Sequence, residues 1–112
     1  MEKGIPCKPA EVSDEFKINR TSIYYYSLDT FGYFQAERYL QKIKHALFTL
    51  PHYYACYPEC RHLATKSRKY RNIILDAHLI IYRITDERIE VLDIIHAASS
   101  IRKIRGIRKI SL

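Results

Sequence analysis

The stretch from Arg61 to His96, RHLATKSRKYRNIILDAHLIIYRITDERIEVLDIIH, constrains the fold more than any other part of the chain. Short runs rich in Ile, Val and Leu follow one another, separated by Asp-Ala and Asp-Glu turns, and a basic stretch precedes them. Such spacing predicts an antiparallel meander, with strands near 62–66, 70–76, 78–85 and 88–96. A two-residue turn at Asp86-Glu87 places Thr85 opposite Arg88 and sets the register of the last hairpin. Counting back, Arg83 faces Glu90, Tyr82 faces Val91 and His78 faces Ile95. One face then holds Ile80, Tyr82, Ile84, Ile89, Val91 and Ile95, and packs on helices. The other carries Arg83, Glu90 and His96 among Leu79, Ile81, Leu92 and Ile94. Directly opposed on a surface face, Arg83 and Glu90 would be a register-setting pair worth a few tenths to ~1 kcal/mol.

Helical signals come earlier. Ala36, Tyr39, Leu40, Ile43, Ala46, Leu47 and Leu50 recur at the three- and four-residue steps of one buried stripe, which predicts a helix over 32–50. Pro51 is expected to stop it. A first helix through Ile23, Leu28 and Phe31 is expected to be capped by Thr21 or Ser22 and ended by Gly32 in a left-handed conformation. With so short a link, the two helices form an antiparallel hairpin. Phe16-Lys17-Ile18-Asn19 alternates apolar and polar and reads as a short strand ahead of them. The chain thus divides into a flexible extension (1–15), one folded domain (16–100) and a basic tail (101–112). In the tail, Ile101, Ile104, Ile107 and Ile110 recur every three residues, a period that drifts around an α-helix; one turn from Ser99 and then an irregular segment is expected, covering the sheet or awaiting a partner.

A chain of 112 residues, 47% hydrophobic and 28% charged, suits one ordinary globular domain. No apolar run is long enough for a membrane helix and the N-terminus lacks the apolar core of a signal peptide, so a cytoplasmic protein without a membrane role is expected. Cys7, Cys56 and Cys60 form no disulfide framework. The net charge of +7 points to an acidic partner. Arg61, Lys66, Arg68, Lys69 and Arg71 form one block without an acid; Arg102, Lys103, Arg105, Arg108 and Lys109 form another.

Most catalytic chemistries find no foothold. His52, Cys56, Cys60 and His62 lie close together, but Pro58 and two tyrosines stand where a zinc knuckle needs its turn, so no metal is expected. Only Gly4, Gly32 and Gly106 are present, too few and too scattered for a phosphate-cradling loop, and no cofactor is expected. Cleavage of RNA needs a base, an acid and cations for the phosphorane. His78, Tyr82, Arg71, Arg83 and His96 are suitable types, yet the register above sets His78 and His96 on opposite faces. The consecutive Tyr24, Tyr25 and Tyr26 point in different directions on a helix, so at least one should be buried and they cannot form one stacking platform.

From Phe16 to Ser100 the order of elements resembles the RelE/ParE superfamily of bacterial toxins: a first strand, a helical hairpin with Gly32 at the bend, Ala36 early in the second helix, and the Leu50-Pro51 close. Arg71, the run from Ala77 to Ile84, and Ile94-Ile95-His96 continue the match. The resemblance implies an α+β fold, with an N-terminal strand and helical hairpin packed on a twisted antiparallel sheet. RelE-type members carry an arginine three residues before the tyrosine matching Tyr82, and a basic residue after the last strand. Here those positions are Leu79 and the Ala97–Ser100 stretch. The chain is more similar to ParE-type members, in Tyr70-Arg71, in His78 followed by three apolar residues before Tyr82-Arg83, and in the closing Ile-Ile-His. That likeness implies the toxin of a type II toxin–antitoxin pair, as used in plasmid stabilisation. Such a toxin poisons DNA gyrase, catalyses nothing itself, and forms an oligomer with a cognate acidic antitoxin. Target and antitoxin contacts are expected at Arg68, Lys69, Arg71, Arg83, His96, Arg102, Lys103 and Arg105. The alternative is a ribosome-dependent mRNA endonuclease, for which Arg71, Tyr82, Arg83 and His96 would be catalytic. A third reading is a decayed member that keeps antitoxin binding only.

Overall fold

Ser13 is where the fold is tied together. The computed structural model describes residues 6–112. A short strand β1 (Ala10–Val12) runs directly into helix α1 (Asp14–Phe31), and Ser13 between them accepts from the Phe16 N–H (3.0 Å), the N-cap bond that satisfies an otherwise orphaned donor. Asp14 and Glu15 add acidic charge to that first turn. The expected strand at Phe16–Asn19 is therefore helix, and the cap is Ser13. Thr21 instead turns its hydroxyl back onto the Lys17 carbonyl (3.0 Å), a bond available only inside a helix. Residues 6–15, expected in a loose extension, are tied down: Tyr54 Oη donates to the Pro6 carbonyl (2.7 Å), Ile89 N–H donates to that of Pro9 (2.8 Å), and β1 pairs with the sheet; the rest of that extension, 1–5, lies outside the described residues.

Gly32 makes the bend to helix α2 (Tyr33–Tyr53), with φ +88°, a backbone conformation that residues with a Cβ rarely adopt. On α2 the expected stripe holds: Ala36, Ile43, Ala46 and Leu50 are buried and Tyr39, Leu40 and Leu47 half-buried. Pro51 does not end the helix, which runs on to Tyr53. So near the end a proline forfeits one backbone bond, and burial of Leu50 and Tyr54 on either side holds the last turn in place.

Strands β2 (Tyr70–Ile74), β3 (His78–Ile84) and β4 (Ile89–His96) form the expected meander, and the sheet order is β1-β4-β3-β2. β1 joins β4 in parallel, so the sheet is mixed rather than wholly antiparallel. No strand forms at 62–66; instead the preceding segment lines the edge of β2, with Cys60 N–H donating to the Tyr70 carbonyl (2.8 Å) and Asn72 N–H to that of Pro58 (3.0 Å).

The Asp86-Glu87 turn sets Thr85 against Arg88, Arg83 against Glu90 and Tyr82 against Val91, as counted from the sequence. Beyond that point the register changes. Ile81 pairs with Asp93, so Leu92 is an extra residue, and His78 faces His96 instead of Ile95. Such a bulge flips every later side chain to the other face. Ser13 occupies its open carbonyls: its N–H donates to Val91 O (2.9 Å) and its hydroxyl to Leu92 O.

The consequence is two cores. Ile80, Tyr82, Val91 and Ile94 pack with Phe16 and Ile43 beneath the hairpin. Ile81, Leu92 and Ile95 pack on the opposite face against Ile104 and Ile107. Ile94 and Ile95 have exchanged the faces expected of them. The tail supplies this second cover as helix α3 (Ile101–Gly106) and a single 3-10 turn (Ile107–Lys109), with Ser100 as N-cap accepting from Lys103 N–H (3.1 Å). No helix among the described residues is long and apolar enough to cross a membrane.

Candidate functional site

Both histidines expected on opposite faces lie on the hairpin side, because the bulge at Leu92 returns His96 to the face of His78. Their ring centroids are 5.7 Å apart, edge to face. They floor a groove of about 800 Å³ between the hairpin and the strand ends, lined also by Ile23, Tyr26 and Phe31 of α1 and by Arg38, Tyr39 and Lys42 of α2. Tyr39 Oη lies 2.7 Å from His78 Nδ1, and Ala98 N–H donates to His96 Nδ1 (3.0 Å). Burial, then the neighbouring His96, lowers the His78 imidazole below its usual value. Lys42 holds the Asp76 carboxylate at 2.8 Å. Tyr39, Arg38 and Lys42 were not singled out in the sequence; their helical spacing read only as stripe and solvated face, and no linear pattern joins α2 to a strand end.

The other residues expected at a site do structural work. Tyr82 is fully buried and donates to the Tyr54 carbonyl (2.6 Å), and its burial raises the phenol strongly. Arg71 donates to the carbonyls of Arg68 (2.8 Å), Ala55 (3.1 Å) and Tyr57 (2.8 Å), closing the loop after α2. Arg83 is no surface residue: it meets Glu90 at 2.6 Å with side-chain exposures of 14% and 11%, too low for a solvent-screened pair. It also donates to the Arg108 (3.4 Å) and Ile110 (3.1 Å) carbonyls, which fastens the tail across the sheet. Burial pushes Glu90 up, but hydrogen bonds from Arg83 and Arg88 outweigh it and hold the carboxyl below its usual range. Arg71, Tyr82, Arg83 and His96 therefore form no single cluster, and only His96 reaches the groove.

Arg68, Arg102, Lys103 and Arg105 are exposed, and half-buried Lys69 sits over the Tyr70 ring at 5.6 Å. Of the three consecutive tyrosines none is buried. Tyr24 is half-buried and donates to Glu37 (2.6 Å), which pushes its phenol up to about 12, while Tyr25 and Tyr26 face outward. Together with Phe31, Tyr33 and Phe34 they leave the hairpin tip rich in exposed aromatic surface. Among the described residues no three His, Cys, Asp or Glu side chains gather where they could share a metal ion. Cys60 lies in the second core, where burial pushes its thiol up.

Comparison with known proteins places this geometry. No curated protein matches the sequence. Among solved structures, a chain described as "Chromosomal ParDE TA system from P. aeruginosa" superposes with a TM-score of 0.66 at 14% identity, covering 82% of this chain and 98% of that one. At that identity the likeness establishes the fold. A family model, ParE toxin of type II toxin-antitoxin system, parDE, matches residues 10–101, a span that begins at β1 and ends at the start of α3. The chain therefore belongs to the ParE toxin family.

Proposed function

We propose that this chain is a toxin that poisons DNA gyrase and is held inactive by a cognate acidic antitoxin. The observation that carries the reading is the family match over residues 10–101. The commitments of Arg71, Tyr82 and Arg83 support it: each is spent on backbone carbonyls or in the core, leaving none free to stabilise a phosphorane. The exposed cations of α3 and of the turn before β2 remain available to a nucleic-acid enzyme and its DNA. Both faces of the sheet are covered, so the antitoxin finds its open apolar surface on the hairpin rather than across the sheet and tail. An acidic amphipathic segment suits that surface, with charge steering a fast, salt-sensitive association.

The experiment is a supercoiling assay with purified gyrase, run beside mapping of mRNA ends after expression. Trapped cleavage complexes and lost supercoiling are the expected result, with no cuts at ribosomal A-sites. The endonuclease reading gains one observation, that His78 and His96 share a face. Cuts abolished by His96→Gln, with gyrase unaffected, would establish it instead.

A further inference from the structure

The groove floor is built as a pair of hydrogen-bond donors. Because Ala98 N–H donates to His96 Nδ1, that nitrogen carries a lone pair, and in the neutral ring the hydrogen sits on Nε2. His78 reaches the same state by another route. Burial raises the Tyr39 phenol, which keeps its proton. With that hydroxyl donating to His78 Nδ1, 2.7 Å away, the His78 hydrogen also lies on Nε2. Neither Nε2 has a hydrogen-bond partner among the described residues. A ring nitrogen that carries a hydrogen has no lone pair for a metal, so the pair donates rather than chelates.

What surrounds these donors selects their ligand. Asp76, the one carboxylate on the groove wall among the described residues, is neutralised by Lys42. Arg38 from α2 is exposed at the groove, and Tyr26 from α1 is the remaining titratable group there. The wall opposite is Ile23, Tyr26 and Phe31. Among the described residues, one uncommitted cation, two imidazole donors and a wall that is apolar apart from Ser22, Ser27 and Gln35 suit a singly charged group on an apolar stem better than a phosphate. We propose that the groove is a carboxylate-binding site, in which His78 and His96 donate from Nε2 to an acidic side chain of a partner segment whose apolar neighbours lie against Ile23, Tyr26 and Phe31. That the partner is the antitoxin rests on the function proposed above; the site itself does not. The rings donate in their neutral form, so binding should be lost in acid as the carboxylate of the ligand takes a proton.

The test follows the imidazole resonances of the full chain by NMR during titration with 4-phenylbutyrate, the neutral 4-phenylbutan-1-ol, and inorganic phosphate. Phenylbutyrate should move the His78 and His96 signals, with the alcohol and phosphate binding much more weakly. His96→Phe should abolish binding, and His96→Gln, which keeps a donor, should retain part of it. Equal binding of the alcohol would reduce the site to an apolar pocket. Equal binding of phosphate would make it a phosphate site, and absence of any shift would remove it. Failure of the unaltered chain to bind phenylbutyrate overturns the site even where an antitoxin binds. An antitoxin complex indifferent to His96→Phe overturns only that occupant.

Discussion

The two helices of the hairpin are of similar length, eighteen and twenty-one residues, yet they spend their apolar side chains differently. On α2 the residues at helical spacing point into the sheet, and Ala36, Ile43, Ala46 and Leu50 are buried. On α1 only Phe16 and Ser27 are buried, while Ile18, Tyr25, Tyr26 and Phe31 stand 58–65% exposed. The inward face of α2 is explained by the core it fills, although Tyr33, Phe34, Phe48 and Tyr53 elsewhere on it stand 56–81% exposed. Helix α1 carries more apolar surface than the fold uses, and such surface marks a place where another chain binds. Phe34, 80% exposed, extends this surface across the bend onto the start of α2. The division therefore runs by face and position as well as by helix.

The largest effects should fall on α2. Ile43→Ala or Leu50→Ala should each cost about 2–5 kcal/mol in urea unfolding. Tyr25→Ala and Tyr26→Ala should stay within about 0.5 kcal/mol. Comparable losses on both helices would erase the contrast.

Next in size is the Arg83–Glu90 pair, where Arg83→Met should cost about 3 kcal/mol, because it leaves a buried carboxylate held by Arg88 alone and unfastens the tail. Its pH signature has a defined sign. The Glu90 carboxyl is held below its unfolded value, so its contribution is present above the ordinary carboxylate range and is lost as pH falls through the lowered folded value. Stability measured against pH should therefore show a smaller acid limb in the variant, where Arg88 alone still lowers the carboxyl.

Ser13→Ala should cost about 1–2 kcal/mol, through the lost cap and the abandoned bulge carbonyl. Hydrogen exchange should quicken around Leu92 and the start of α1, leaving the Ile43 region protected. Smallest in stability is neutralisation of Arg102, Lys103 and Arg105 together, expected within about 0.5 kcal/mol since all three are exposed. Toxicity on expression should nevertheless weaken. Unchanged toxicity would remove α3 from the target surface.

Local pattern explains what could be read early. The three- and four-residue stripe of α2, the Asp86-Glu87 turn and the Arg83–Glu90 register depend on neighbours close in sequence, and each stands in the structure where the pattern put it. The errors arose where a distant partner decided. The alternation at Phe16–Asn19 imitated a strand, but Ser13 began a helix there and β4 supplied β1 with its ladder. The isoleucines of the tail had the wrong period for a long helix, yet a six-residue α3 followed by a 3-10 turn brings Ile104 and Ile107 onto one sheet face.

The candidate site shows the same boundary more sharply. Sequence alone determined a helical hairpin followed by a meander, the basic blocks, and the family whose pattern they match. Only the tertiary structure decided which face each strand end presents, because a single extra residue at Leu92 reverses that alternation. The bulge is held by Ser13, seventy-nine positions away, and no local propensity records it. Through that contact His96 joins His78, and Tyr39 of α2 meets them to make a groove whose donors belong to three separate elements.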